Sequence, residues 1–288
     1  ISKAAIKQEK FFANNDRVLN DPYTKDYQRQ MQYNLISGGS LMTMKNTLKI
    51  FNDGNDKFDA LIEDIKNAKE YIHLQYYIIK NDYLFRDISR ELIKKADEGV
   101  EVRVLFDGMG GRFMSKKILD NMKAHKIKIG VFFPAALGKI NFRINYRNHR
   151  KIAVIDGKIG YVGGFNIGKE YVDGSKKFGH WRDTHLRIVG EAVNGLELRF
   201  GLDWNYATKE DIFNSDKYFK PLEEMNILPK SGDDVLRMQI ISSGPDSETK
   251  LIRDNYIEII NNAKDHVYIH TPYFIPDEAF MSALNVAA

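Results

Sequence analysis

Cysteine is absent from all 288 residues, so disulfides, thiolate nucleophiles and cysteine-held zinc sites are excluded at once. Any metal would have to be held by His and carboxylates. Long apolar runs are also missing. The richest windows, "YIHLQYYII" and "VFFPAAL", fall well short of the roughly 18 apolar residues that suggest a bilayer span. Nor is there a large excess of one charge. Lys and Arg total 43 against 39 Asp and Glu, and a formal net charge of +4 supplies no broad cationic track for a nucleic-acid polyanion. It does suit smaller anionic partners, phospholipid headgroups among them. No signal-peptide pattern is found, and the chain opens on Ile1 and closes on "MSALNVAA" without a helix stop or polar tail. Both ends are therefore expected to be cuts in a longer protein.

What is present is a core-forming chain with 43% hydrophobic residues. Residues 1–38 are polar, helical in places, and end at the breaker Gly38-Gly39. From Met42 onward, short Ile/Val/Tyr-rich runs alternate with longer segments of helical period, which predicts an α/β fold with a mixed β-sheet flanked by helices. "TLKIF" reads as a strand and 57–69 as a helix with Phe58, Leu61, Ile62 and Ile65 on one face. A strand over 71–79, a helix over 83–98 and a strand through "GVEVRVLFDG" follow. Next come a helix over 116–125, strands over 128–133, 151–155, 158–162 and 184–189, and a helix over 192–206.

One phrase recurs. "IEDIKNAKEYIHLQYYII" from Ile62 resembles "IEIINNAKDHVYIHTPYFIP" from Ile257, with Ala68 matching Ala263, so a helix and its following strand are expected twice. This divides the chain into a polar segment over 1–38, a first lobe over 39–230 and the beginning of a second, similar lobe over 231–288.

The chemistry-bearing stretch is "RNHRKIAVIDGKIGYVGGFNIGKEY". It contains His149-x-Lys151-x4-Asp156, followed by Gly163, Gly164 and Asn166. On a strand, period two would deliver His149 and Lys151 to the same face. An imidazole can attack phosphorus while a neighbouring ammonium offsets the charge growing on the non-bridging oxygens. Asn166 adds hydrogen-bond donors, and glycine before it lets the backbone approach closely. Asp156 precedes Gly157 in a predicted tight turn, so its first role is to fix that turn and its second is catalytic. Asp183, in "HWRDTHLRIVG", is the candidate carboxylate for orienting the histidine, with pairing to Arg182 or Arg187 as its alternative. The bare His-x-Lys-x4-Asp spacing is weak alone; the predicted strand, the Gly-Gly-x-Asn continuation and the repeat strengthen it.

With these residues the chain resembles the phospholipase D superfamily, whose signature is this HKD motif, and within it the bacterial cardiolipin synthases. The phrases "NHRKIAVIDGKIGYVGGFNIGKEY", "WRDTHLRIVG" and "YIHTPYFIP" carry the resemblance from about Asn34 to the end. It implies a phospholipase-D-like lobe and phosphatidyl transfer between two phosphatidylglycerol molecules, giving cardiolipin and glycerol. His149 would be the phosphohistidine-forming or the acid-base histidine, Lys151, Asn166 and Gly164 the phosphate site, and Asp183 the orienting carboxylate. The family carries two such motifs, whereas this chain shows one. The second histidine would come from a further lobe of the same protein or from a second copy. No metal or other cofactor is implied, and the expected setting is the bacterial cell membrane, with hydrophobic helices preceding Ile1.

Two alternatives stay open: a phospholipase-D-type phosphodiesterase acting as a homodimer on lipid or nucleic acid, and a catalytically silent module. "GKINFRINYRNHRK" interleaves Lys139, Arg143, Arg147, Arg150 and Lys151 with Phe142 and Tyr146, a pattern suited to anionic headgroups or to single-stranded nucleic acid. Lys176, Lys177, Phe178 and Trp181 form a second such patch. His180 and His185 flank Asp183 without metal-ligand spacing. His73, His125 and His266 read as packing or hydrogen-bonding residues, and His270 as one that could face a shared cleft.

Overall fold

The computed structural model describes residues 22–112, 114–134, 147–174, 179–213, 215, 217–219, 235–244 and 247–288. Two of the helices that pack on the sheet begin at short acidic side chains that cap them. Asp53 accepts the backbone N–H groups of Asn55 and Asp56 at 2.8 and 3.3 Å ahead of one helix, and Asp82 accepts that of Phe85 at 3.3 Å ahead of another. The elements are α1 (Gln28–Gly38), β1 (Thr43–Phe51), α2 (Gly54–Asn67), β2 (Tyr71–Tyr76), α3 (Tyr83–Asp97), β3 (Glu101–Asp107), α4 (Lys116–Ala124) and β4 (Lys128–Phe132). They continue as β5 (Lys151–Ile155), β6 (Ile159–Gly163), β7 (His185–Gly190), α5 (Val193–Thr208), β8 (Leu236–Met238), α6 (Leu251–Asn262) and α7 (Glu278–Ala287).

Thr43–Met238 form one compact unit around an eight-stranded mixed sheet of order β4-β3-β2-β5-β6-β7-β1-β8. β4, β3 and β2 are parallel; from β2 through β5, β6, β7, β1 and β8 every pairing is antiparallel. β2 and β5 meet where the sheet changes character, and all their residues are buried, as expected of strands covered on both faces. On one face, Phe58, Leu61 and Ile65 of α2 and Leu84, Phe85, Ile88 and Leu92 of α3 join the core. On the other, α5 lies across β4, β5 and β6 and buries Val193, Leu196, Phe200 and Trp204.

The β5–β6 hairpin turns through Asp156 and Gly157, whose φ values of 54° and 65° are both in the left-handed region. Lys158 N–H closes the turn onto Ile155 O at 3.0 Å, an Asp-Gly pair tolerates the two positive φ values, and Lys158 is the third loop residue before the ladder begins. The turn aligns Ile152 with Val162 and Ile155 with Ile159.

Two strand expectations need correcting. β2 ends at Tyr76 rather than at 79, because residues 78–80 leave the ladder and bond to the chain after β6: Ile167 N–H donates to Ile78 O at 3.2 Å, and Lys80 N–H to Ile167 O at 2.9 Å. The strand expected in the second repeat is also absent. Residues 263–276 follow α6 in neither helix nor strand, with Tyr268, Tyr273, Phe274 and Ile275 exposed. A strand draws its stability from ladder partners, and among the described residues this segment has none, whereas β2 is flanked on both sides.

The second unit brings residues 22–42 together with 239–288. The described part of the polar N-terminal segment is thus packed: Gln30 donates to Asn255 Oδ1 at 2.8 Å, and Tyr33 to Asp254 Oδ2 at 2.6 Å. Asn255 in turn donates to Asn34 Oδ1 at 2.6 Å. Among the described residues no helix is long and apolar enough to cross a membrane.

Candidate active site

Four chain segments converge at one end of the sheet. Tyr76 at the end of β2 is in register with Lys151 at the start of β5, and Gly163 at the end of β6 with His185 at the start of β7. His149 lies two residues before β5 rather than on a strand, so period two does not bring it to Lys151. The lysine does so itself. Its Nζ donates to the backbone carbonyl of His149 at 2.7 Å and lies 3.1 Å from each ring nitrogen. His149 is exposed, Lys151 only 3% exposed, and Tyr77 flanks the imidazole with ring centroids 4.8 Å apart.

The electrostatics follow from this placement. Although His149 is exposed as a residue, the protein atoms around its ring displace part of its water, and this desolvation, then the Lys151 ammonium, lowers its pKa below the ordinary 6.5, against a smaller pull upward from Asp183. Burial lowers Lys151 to about 8, again opposed by Asp183. Asp183 therefore acts on both groups through its charge. No hydrogen bond joins it to His149; its Oδ1 accepts the N–H of Thr184 at 2.7 Å. Arg187, one of its alternative partners, is occupied instead by Asp64 at 2.6 and 2.9 Å.

Glycine is required where Asp183 enters. A Cβ on Gly164 would stand 1.9 Å from Asp183 Oδ1, and one on Gly163 would stand 2.5 Å from the Cα of His185. Gly164 thus admits the Asp183 side chain and Gly163 the backbone of Thr184 and His185, in addition to any role at a ligand. Asn166, 5% exposed, is anchored at both ends: its Oδ1 accepts Ile78 N–H at 3.1 Å and its Nδ2 donates to Tyr171 at 2.9 Å. One N–H of that amide remains for another acceptor.

Asp156 is not brought to this group. It sits at the opposite end of β5, where its carboxylate accepts the backbone N–H groups of Lys69, Glu70 and Tyr71 at 2.8, 2.7 and 2.9 Å. These are the residues that leave α2 and enter β2.

Two buried groups adjoin the site: Lys57, to which the sequence assigned no site role, and His185, weighed there only as a metal ligand. Lys57 is fully buried on α2, donates to Tyr76 OH at 2.8 Å and lies over the Phe58 ring. His185 is fully buried with both ring nitrogens unpartnered, and burial, then the charges of Lys57 and Lys151, pushes its pKa well below the usual histidine range. The signal for Lys57 available in the sequence was its spacing, four and eight residues before Leu61 and Ile65 on the apolar face of α2.

The remaining candidates scatter. His180 approaches Asp53 at 3.6 Å, and among the described residues no three His, Asp or Glu side chains gather as a metal site. His73 pairs with Glu197 at 2.8 Å, His125 with Asp97 at 2.7 Å and His266 with Asp265 at 2.8 Å, while His270 is exposed in the second unit. Lys139, Phe142, Arg143, Tyr146, Lys176, Lys177 and Phe178 lie outside the described residues.

A histidine and lysine at the end of a mixed sheet, followed by Gly-Gly-x-Asn, define a phospholipase-D-type lobe, and comparison with known proteins agrees. Residues 61–179 match the family model described as "Cardiolipin synthase, PLD-like domain", and the chain belongs to the phospholipase D superfamily. Within that superfamily its relatives are cardiolipin synthases. That of Staphylococcus aureus is 50% identical over 286 residues, covering 99% of this chain and 55% of the relative. Cardiolipin synthase 2 of Staphylococcus epidermidis is 46% identical over 285 residues, covering 99% and 56%. The chain thus spans about half the length of these relatives. Among solved structures, NucT from Helicobacter pylori aligns with 57% of this chain and 98% of its own at 20% identity and a TM-score of 0.43.

Proposed function

We propose that this chain contributes one half of the active site of a phosphatidyltransferase that makes cardiolipin from two molecules of phosphatidylglycerol. The observation that carries the reading is the exposed imidazole of His149 set against the buried ammonium of Lys151. With its pKa below 6.5, the imidazole is neutral near pH 7 and keeps the lone pair that a nucleophile needs.

In the first half-reaction a ring nitrogen of His149 bonds to phosphorus as the P–O bond to the glycerol headgroup breaks, and the departing oxygen takes a proton from a second histidine. The phosphatidyl group is then held as a phosphohistidine. In the second half-reaction the hydroxyl of another phosphatidylglycerol gives its proton back to that second histidine and attacks phosphorus, freeing the imidazole. Lys151 offsets charge on the non-bridging oxygens, with Asn166 and the backbone around Gly164 beside it. The lysine's contact with the imidazole gives way to a contact with phosphate when substrate arrives. Asp183 supports the positive ring through its charge. Water in place of the second lipid would make the same site a phospholipase.

The second histidine is assigned to a further lobe of the same protein, for which residues 231–288 would be the beginning, or to a second copy. The reaction is placed at the surface of the bacterial cell membrane, where both lipids reside. The test uses the protein at its natural length on phosphatidylglycerol vesicles, with and without His149→Ala, scoring cardiolipin and any phosphohistidine peptide by mass spectrometry. Cardiolipin formation undiminished in His149→Ala would sink the reading. Cleavage of single-stranded DNA in place of lipid turnover would favour the nuclease alternative.

A further inference from the structure

His149 stands in a strap, residues 147–150, that belongs to no helix or strand, so no ladder of its own holds the reactive ring in place. Its two neighbours are held instead by a carboxylate far along the chain. Oδ2 of Asp203, on α5, accepts Asn148 Nδ2 at 2.8 Å, an Arg150 guanidinium N–H at 3.1 Å and Gln75 Nε2 at 2.6 Å. Gln75 Nε2 also reaches Asn148 Oδ1 at 2.9 Å, and Arg150 N–H donates to that oxygen at 3.2 Å. Arg199, one helical turn before Asp203, binds its other oxygen. A second carboxylate, Asp107 at the end of β3, accepts Asn148 N–H at 3.2 Å and lies 3.6 Å from the Arg147 guanidinium. Asp203 and Asp107 are each 1% exposed.

We infer that Asp203 is the positioning residue of His149, holding the residues on either side of it so that the imidazole alone of the strap is presented outward over Lys151. The inference rests on the reading of His149 as the reacting group. Consecutive Cα atoms are about 3.8 Å apart, so fixing the side chains of both neighbours confines the His149 backbone to a narrow range. Ordering of this kind matters because a misplacement of about 1 Å at a reacting group can cost on the order of 10²-fold in rate. A carboxylate suits the task. It accepts three converging donors at one oxygen, including a guanidinium, where a neutral amide offers one weaker acceptor and sets its own N–H groups against the donors. Burial makes each of these contacts stronger and its loss more costly.

The same helix supplies the control. Glu197 is also fully buried on α5 and is paired with a β2 residue, His73, yet it touches nothing in the strap. In the protein at its natural length on phosphatidylglycerol vesicles, Asp203→Asn is expected to lower kcat by about 10- to 100-fold with KM changed by less than about threefold. It should also move the acid limb of the pH–kcat profile toward the ordinary imidazole value as the ring is freed. Glu197→Gln should lower the thermal midpoint without either effect. Should Asp203→Asn not fold, Asn148→Ala reads the same clamp from the strap side, with the same kcat loss and shift of the acid limb expected. A kcat within twofold of wild type in whichever variant folds overturns the inference, as do equal losses in Asp203→Asn and Glu197→Gln. If His149→Ala itself keeps turnover, the site reading fails and takes the inference with it. If His149→Ala is inert while Asp203→Asn is fully active, the positioning role fails alone.

Discussion

The Nζ of Lys151 lies 3.1 Å from both ring nitrogens of His149. One neutral imidazole nitrogen can accept a hydrogen bond from that ammonium, whereas a protonated ring can only repel it. The two groups therefore titrate against each other, and a bound phosphodiester, by drawing the ammonium away, would release the imidazole for attack.

The pH profile of turnover should reflect this coupling. An acid limb is expected below pH 6.5, where His149 gains its proton, and an alkaline limb near pH 8, where Lys151 loses its own. Initial rates on phosphatidylglycerol vesicles in constant ionic strength check both limbs. An acid limb above 6.5 contradicts the arrangement.

Lys151→Met should separate catalysis from stability. Removing the ammonium is expected to lower kcat by about 10²- to 10³-fold. The folded protein should be no less stable, since a buried cation with a lowered pKa disfavours the fold. The sign follows from proton counting. Between pH about 8 and 10.5 the unfolded lysine holds more protons than the folded one, so stability rises with pH across that window. Thermal midpoints measured through it should rise less steeply in Lys151→Met than in the parent.

Gly164→Ala should resemble loss of Asp183. The added methyl would lie 1.9 Å from Asp183 Oδ1, so the carboxylate must leave its present position, from which its charge acts on His149 and Lys151. Turnover in Gly164→Ala and Asp183→Ala is expected to fall by similar factors, and the double variant to fall little further. Full activity in Gly164→Ala would show that the close approach has no catalytic weight.

Asp156→Gly should act on folding. Glycine accepts the φ of 54° at this turn, so the substitution isolates the carboxylate that binds three backbone N–H groups. Its loss is expected to cost about 2–4 kcal/mol in urea unfolding, while kcat per folded molecule is unchanged. A large fall in kcat with unaltered stability would return Asp156 to the chemistry.

Much of the fold was legible because its signals are local. The spacing of Phe58, Leu61 and Ile65 announced α2, that of Leu84, Ile88 and Leu92 announced α3, and the Asp156-Gly157 pair announced the hairpin. The site was legible in part. His149 and Lys151 were found by their spacing, though on the expectation of a shared strand face that β5 begins too late to provide.

The amino-acid sequence by itself determined the order of helices and strands from β1 to α5 and the presence of an imidazole, an ammonium and an Asn beside paired glycines, since side-chain period and turn chemistry are properties of neighbouring residues. Tertiary structure alone decided which distant groups serve them. Lys57 and His185 come to lie beneath Lys151, Asp183 enters against Gly164, and Asp203 reaches the strap across 53 residues from Arg150. Such meetings depend on strand order and register, and no local period encodes those.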